Sequence, residues 1–285
     1  MAGACKSFLD VRASLVESRE GSLSAPVTPL ESLGEEAERI LKGAEGKGIT
    51  LKLLGGMAVS MRCPSASMAR LSRRYVDIDV MGKRKQVSKI NQLFKDLGYM
   101  ARERFNALQG SRLIFNDMTN QRRVDVFLDV FQMCHKFDFR DRLDLEPATI
   151  SLSDLLLTKL QIVEINQKDV KDIFALLLDH EVVGEETLDK INAGYIAKLC
   201  AEDWGIYKTF TTNLSKLEGY AASTGLDEEQ TKLILARVEA LMKMIEAAPK
   251  SMGWKMRAAV GERKRWYELP EADKEVVDSG QATPS

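Results

Sequence analysis

Four aspartates spaced two and four residues apart on apolar runs are the side chains of this sequence best suited to do chemistry. Asp77 and Asp79 lie in "RRYVDIDVMG", and Asp125 and Asp129 lie in "RRVDVFLDVF". An extended chain sends successive side chains to opposite faces. Asp77 and Asp79 therefore share a face, with Val76, Ile78 and Val80 turned the other way into a core. Asp125 and Asp129 share a face opposite Val124, Val126, Leu128 and Val130. Two carboxylates ~5 Å apart at an effective dielectric of ~20 repel by about 3 kcal/mol, and three clustered ones by on the order of 10 kcal/mol. That rivals the whole stability of a domain, roughly 5–15 kcal/mol. Such a cluster calls for cations. Hard divalent ions bound through carboxylate oxygen, magnesium first and manganese second, suit it.

Upstream, "ITLKLLGGMAVSMRC" reads as a short strand over 49–54, the pair Gly55-Gly56, and an apolar helix start. Paired glycines allow a sharp turn and a close approach to a ligand. Backbone N–H groups at the start of the following helix favour phosphate. The same pair also suits a plain packing turn. Downstream, Lys159 sits inside the apolar run "SDLLLTKLQIV", where a lysine is unexpected. Lys159 and Lys168 are point charges on flexible stems, able to reach a phosphate. The bland reading of Lys168, Asp169, Lys171 and Asp172 is a solvated, salt-bridged helix face.

Several elements must position these groups. "LESLGEEAERILKGA" has helical spacing at Leu33, Ala37, Ile40 and Leu41. "KRKQVSKINQLFKDLGY" is an amphipathic helix striped by Val87, Ile90, Leu93, Phe94 and Leu97, and Gly98 is placed to end it. "YMARERFN" and "SRLIFND" flank Gly110 as two strands of a hairpin-like pair, followed by the strand "RRVDVFLDVF". From Ser151 the pattern turns helical, opening on a capping-box spacing of Ser151 and Asp154. A later helix carries Leu233, Ala236, Arg237, Leu241 and Met244 near helical spacing. The fold class is α+β: a small mixed sheet with flanking helices, then a helical C-terminal region.

Strand, Gly-Gly, helix, Asp-x-Asp strand, then a strand with a third carboxylate: this ordered set resembles the DNA polymerase β-like nucleotidyltransferases. Within them it looks most like the minimal and AbiEii-like group, which includes toxins of type IV toxin–antitoxin systems. The resemblance covers about 49–178. It implies that Gly55 and Gly56 lie against a nucleoside triphosphate and that Asp77 and Asp79 bind magnesium. It implies that Asp125, rather than Asp129, is the third carboxylate, which helps activate an attacking hydroxyl. Lys159, Lys168, Asp169 and Asp172 match the polar positions of the family's helical motif, and Arg73 matches the arginine four residues before the first aspartate. Tyr75 departs from the usual Thr or Ser, and the stretch "CPSASMARLSR" is long, as for a substrate loop or a disordered insertion. The implied organisation is an arm and helix over 1–45, a nucleotidyltransferase core over 46–150, a helical domain over 151–270 and a disordered tail over 271–285. The implied activity is magnesium-dependent transfer of a nucleoside monophosphate to a hydroxyl on a tRNA, a protein or a small molecule. An antitoxin partner goes with the toxin reading. A metal-dependent nuclease would use the same acidic cluster but has no need of the glycine pair. A non-catalytic protein keeping the fold would instead pair its carboxylates with Arg73, Arg74, Arg122 and Arg123.

Composition fits a cytoplasmic enzyme. The 285 residues carry 29% charged and 45% apolar side chains. The net charge of −1 creates no global field to recruit nucleic acid, so any such contact needs a local patch. The best one is 250–267, where Lys250, Lys255, Arg257, Arg263, Lys264 and Arg265 accompany Trp254, Trp266 and Tyr267. It reads either as an RNA-binding surface or as a closing helix anchored by its tryptophans. No apolar run reaches the ~20 residues that span a bilayer, and the N-terminus lacks a signal peptide's apolar stretch. Cys5, Cys63, Cys134 and Cys200 show no metal-ligand spacing, and His135 and His180 read as incidental.

Overall fold

The computed structural model describes residues 27–108 and 110–269. Cys5, most of the expected N-terminal arm and the expected tail lie outside the described residues. In chain order the elements are α1 (Leu33–Gly46), β1 (Leu51–Leu54), α2 (Gly55–Arg62), β2 (Ile78–Gly82), α3 (Val87–Asp96), β3 (Met100–Ala101), α4 (Glu103–Leu108), β4 (Arg112–Asp117) and β5 (Arg122–Leu128). They continue with β6 (Val130–Gln132), β7 (Lys136–Asp138), α5 (Leu152–Leu160), α6 (Gln167–Asp179), β8 (Val182–Val183), β9 (Ile191–Asn192), α7 (Ala193–Glu202), α8 (Trp204–Thr224), α9 (Glu228–Ala247) and α10 (Met252–Val260).

The main sheet has the order β1-β2-β5-β4-β3, with β2 and β5 parallel and the other pairs antiparallel. One face is apolar. Ile78 and Val80 of β2, Val124, Val126 and Leu128 of β5, and Leu113 and Phe115 of β4 are buried there. Phe94 of α3 stacks on Phe115 with ring centroids 4.2 Å apart. The other face carries Asp79, Asp125 and Arg112, because period-two alternation places them opposite that core. One continuous apolar cluster joins this sheet to α5, α6, α7, α8 and α9. The sheet and the helical region therefore share packing, so α5 and α6 stand close enough to wall the carboxylate face.

Several expectations need correction. Val76 is exposed rather than in the core, because β2 begins only at Ile78. Asp129 does not share the face of Asp125. Its φ of 63° breaks the alternation between β5 and β6, and its carboxylate accepts the Arg84 N–H at 3.1 Å. The segment read as a first hairpin strand is one only at Met100 and Ala101, which pair antiparallel with β4; from Glu103 it is α4. There Asn106 bonds both the N–H and the C=O of Ile114, doing with a side chain what a strand partner would do. The stretch 63–73 is no disordered insertion: Pro64–Ser67 forms a 3-10 turn with Ser65 buried, and its N–H bonds the Asp179 carboxylate of α6 at 2.9 Å. In α9 the buried stripe is Ile234, Val238, Leu241 and Ile245, one position away from the expected one except at Leu241.

The reading of Gly98 holds, and the capping of α5 by Ser151 holds in part. Gly98 has φ 85° just past α3, and a Cβ there would lie 1.9 Å from the Val27 carbonyl oxygen. Ser151 caps α5 by accepting the Asp154 N–H. The Asp154 carboxylate turns to the Ser151 hydroxyl and to Arg142 instead of closing a capping box.

Candidate active site

The parallel pairing of β2 with β5 sets Asp79 directly opposite Asp125. Asp77 precedes β2 by one residue and lines the same cavity, which has a volume of about 880 Å³. The remaining charged lining comes from Arg112, Arg123, Lys159, Lys168, Asp169 and Glu268, and Phe127, Phe131, Met133 and Ile162 form an apolar flank. Sheet, α5, the start of α6 and the C-terminal segment thus enclose one space, large enough for a small organic ligand.

Asp77 and Asp79 have no ion-pair partner among the described residues. Burial, and then repulsion from Asp125, push the Asp79 carboxyl up to about 6. Asp125 is 1% exposed and fully engaged. Its Oδ1 accepts from Arg112 Nε at 3.1 Å and lies 3.0 Å from Arg112 Nη2 in an ion pair, and its Oδ2 accepts from Arg123 at 2.9 Å. Among the described residues no group of three or more His, Cys, Asp or Glu side chains is gathered to hold a metal ion. Two carboxylates without ion-pair partners still fit magnesium, which keeps several waters and is commonly held by one or two carboxylates plus substrate phosphates. The fit is to an ion arriving with its substrate, held by Asp77 and Asp79, rather than to an all-protein cage.

The two glycines have different surroundings. Gly55 lines the cavity and has φ 66°; a Cβ on it would lie 2.5 Å from Asp79 Oδ2. Only glycine tolerates both that conformation and that approach. Gly56 is not in the lining. A Cβ on it would lie 2.0 Å from Arg73 Nη2 and 2.8 Å from Tyr75, so its small size serves packing.

Lys159 and Asp172 also part company. Lys159 lines the cavity with its Nζ 2.7 Å from Asp172 and 3.2 Å from Asp169. Burial works against its charge, but the two carboxylates outweigh burial and its pKa is raised. Asp172 lies outside the lining, 2% exposed, and also binds Arg73 through two 2.8 Å bonds. Burial raises its pKa, yet Arg73 and Lys159 prevail and the net shift is downward. Asp172 therefore anchors Lys159 and Arg73 from outside the cavity lining. Asp169 and Asp172 are buried, so this side of α6 is not the solvated helix face that its charges suggest. Lys168, exposed beside the Asn166 cap of α6, does line the cavity.

The partners expected of a non-catalytic fold are divided. Arg73 goes to Asp172, Arg122 to Asp117, and Arg123 to Asp125. Arg112 was not foreseen; its place beside Asp125 depends on the β4–β5 register, which no local pattern encodes. Arg123 was visible two residues before Asp125 on the same face.

At the C-terminal rim the tryptophans serve as anchors. Trp254 donates to the Cys200 carbonyl at 2.9 Å, and Trp266 donates to Thr209 Oγ1 at 3.0 Å. Thr209 Oγ1 also hydrogen-bonds His135 Nε2 at 2.8 Å. Burial pushes His135 down to about 4. Glu268 then bonds Gln132 and the Cys134 carbonyl at the cavity edge. Arg263, Lys264 and Arg265 stay exposed. Cys63, Cys134 and Cys200 are buried thiols. Among the described residues no helix is long and apolar enough to cross a membrane.

No protein-family model matches the chain, and no curated protein matches it. Among solved structures it is similar to the crystal structure of the lincosamide antibiotic adenylyltransferase LnuA with lincomycin bound, at 19% identity and a TM-score of 0.38, covering 50% of this chain and 94% of that one. It is also similar to the solution structure of the antibiotic-resistance factor ANT(2'')-Ia, at 11% identity and a TM-score of 0.33, covering 73% of this chain and 92% of that one.

Proposed function

We propose that the chain is a nucleotidyltransferase that moves a nucleoside monophosphate from a nucleoside triphosphate to a hydroxyl acceptor. The observation that carries this reading is the strand-to-helix turn at Gly55 set against Asp79, itself opposite Asp125 on the next strand, in a cavity that also holds four basic side chains. Asp77 and Asp79 would hold magnesium, which would supply charge neutralisation of the triphosphate and of the developing oxyanions. Lys159 and Lys168 present positive charge to phosphate oxygens, Lys159 in a position set by Asp169 and Asp172. Phe127, Phe131 and Ile162 offer an apolar wall for a base or an acceptor ring. Asp125 lies beside Asp79, where it can take the proton of the acceptor hydroxyl once its arginines leave it.

The arginine pairing of Asp125 favours a second reading, a nucleotide-binding protein that has lost transfer. One experiment separates the two. The full chain is incubated with α-labelled nucleoside triphosphates, magnesium, and either total tRNA, total protein or small hydroxyl compounds. Label should move to one acceptor class with the wild type and not with Asp77→Ala. Binding without transfer to any acceptor supports the second reading.

A further inference from the structure

Asp125 does not face the cavity as an open ligand. It accepts one N–H bond from Arg112 and one from Arg123, one on each oxygen, and a second Arg112 nitrogen lies 3.0 Å from Oδ1. A cation brought against it would also meet two guanidiniums. Yet both arginines line the same cavity wall as Asp77 and Asp79, and their side chains are 22% and 43% exposed. Arg112 lies over the Phe127 ring with its guanidinium carbon 5.2 Å from the centroid, which holds it at the wall.

We propose that Arg112 and Arg123 are the triphosphate receptors of this chain, and that their transfer from Asp125 to phosphate oxygens frees Asp125 to act; the proposal rests on the nucleotidyltransferase reading. Guanidinium forks match phosphate as well as they match carboxylate. A magnesium-bound triphosphate brings anionic oxygens for the arginines and a cation for the carboxylates together, so the exchange strands no charge. Substrate alone or metal alone leaves one set of charges uncompensated. The site would therefore assemble only when both are present. Arg112 and Arg123 are positioning residues with respect to Asp125 and binding residues with respect to the phosphates.

The test is manganese binding to the full chain without nucleotide, followed by electron paramagnetic resonance. In Arg112→Gln/Arg123→Gln the manganese affinity should rise at least tenfold over the wild type, while affinity for nucleoside triphosphate falls at least tenfold. An unchanged manganese affinity in a folded double variant overturns the proposal. If the double variant shows no cooperative melt, the wild type decides. With inorganic tripolyphosphate and magnesium together, but not with either alone, the Nε–Hε resonances of Arg112 and Arg123 should move together with the Asp125 carboxylate carbon. Saturation with no such movement overturns the proposal. If the wild type binds no nucleoside triphosphate, the nucleotidyltransferase reading falls and takes this one with it. If it binds one while both arginines stay on Asp125, only the exchange falls.

Discussion

Gly55 and Asp79 are in such close approach that a single added carbon on the glycine would stand 2.5 Å from the aspartate's Oδ2. The turn also runs at φ 66°, where a side chain costs about 1 kcal/mol or more. Gly55→Ala should therefore lower the melting temperature and displace Asp79. In the Asp79→Ser background the same substitution should do less harm, with a coupling of about 0.5–3 kcal/mol in a double-mutant cycle. Additive effects in chemical denaturation would show that the contact has no energetic weight.

Asp79 should behave as a stability liability at neutral pH. Its carboxyl sits at about 6 in the folded chain against 3.8 for the unperturbed group. Protonation therefore favours folding: that contribution is complete below 3.8 and lost as pH rises through 6. Asp79→Asn should raise unfolding free energy at pH 8 by at most about 3 kcal/mol, and the gain should vanish near pH 3.8. Urea melts of both proteins at the two pH values check this.

His135 works in the opposite direction. Its pKa falls from 6.5 to about 4 on folding, so the neutral ring favours the native state. Stability is complete above pH 6.5 and should drop by about 3 kcal/mol as pH falls to 4. In His135→Gln this component of the slope should be absent. Because Trp266 bonds the same threonine, its fluorescence should follow the transition.

Lys168 and Asp172 should separate binding from stability. Lys168→Gln removes an exposed charge at the cavity and should weaken nucleotide affinity with melting unchanged. Asp172→Asn strips a buried partner from Arg73 and Lys159, and breaking such a network costs about 3–5 kcal/mol. Calorimetric melting together with nucleotide titration of both variants decides.

What could be read from the sequence follows the range of the forces involved. Period-two alternation turns Asp79 and Asp125 each away from the apolar face of its own strand, while only the β2–β5 pairing makes those faces one; helical spacing marks Ile90, Leu93 and Phe94 as core. Asp129 escaped because a single residue at φ 63° cancels the alternation. The helix at 103–108 escaped because Asn106 satisfies Ile114 through its side chain, so the segment needs no strand geometry. Gly55 and Gly56 look alike in sequence; only the folded neighbours, Asp79 for one and Arg73 with Tyr75 for the other, distinguish a cavity glycine from a packing glycine. Arg112 lies thirteen residues from Asp125 and reaches it through strand register alone.

The central claim is that Asp77 and Asp79 bind a nucleoside triphosphate through magnesium. Isothermal titration of the full chain with each of the four common nucleoside triphosphates, with and without magnesium, tests it most directly. The account predicts that at least one binds, that binding weakens at least tenfold without the metal, and that Asp77→Asn and Asp79→Asn abolish the metal dependence while remaining folded. A folded wild-type chain that binds none of the four with magnesium or manganese would contradict it.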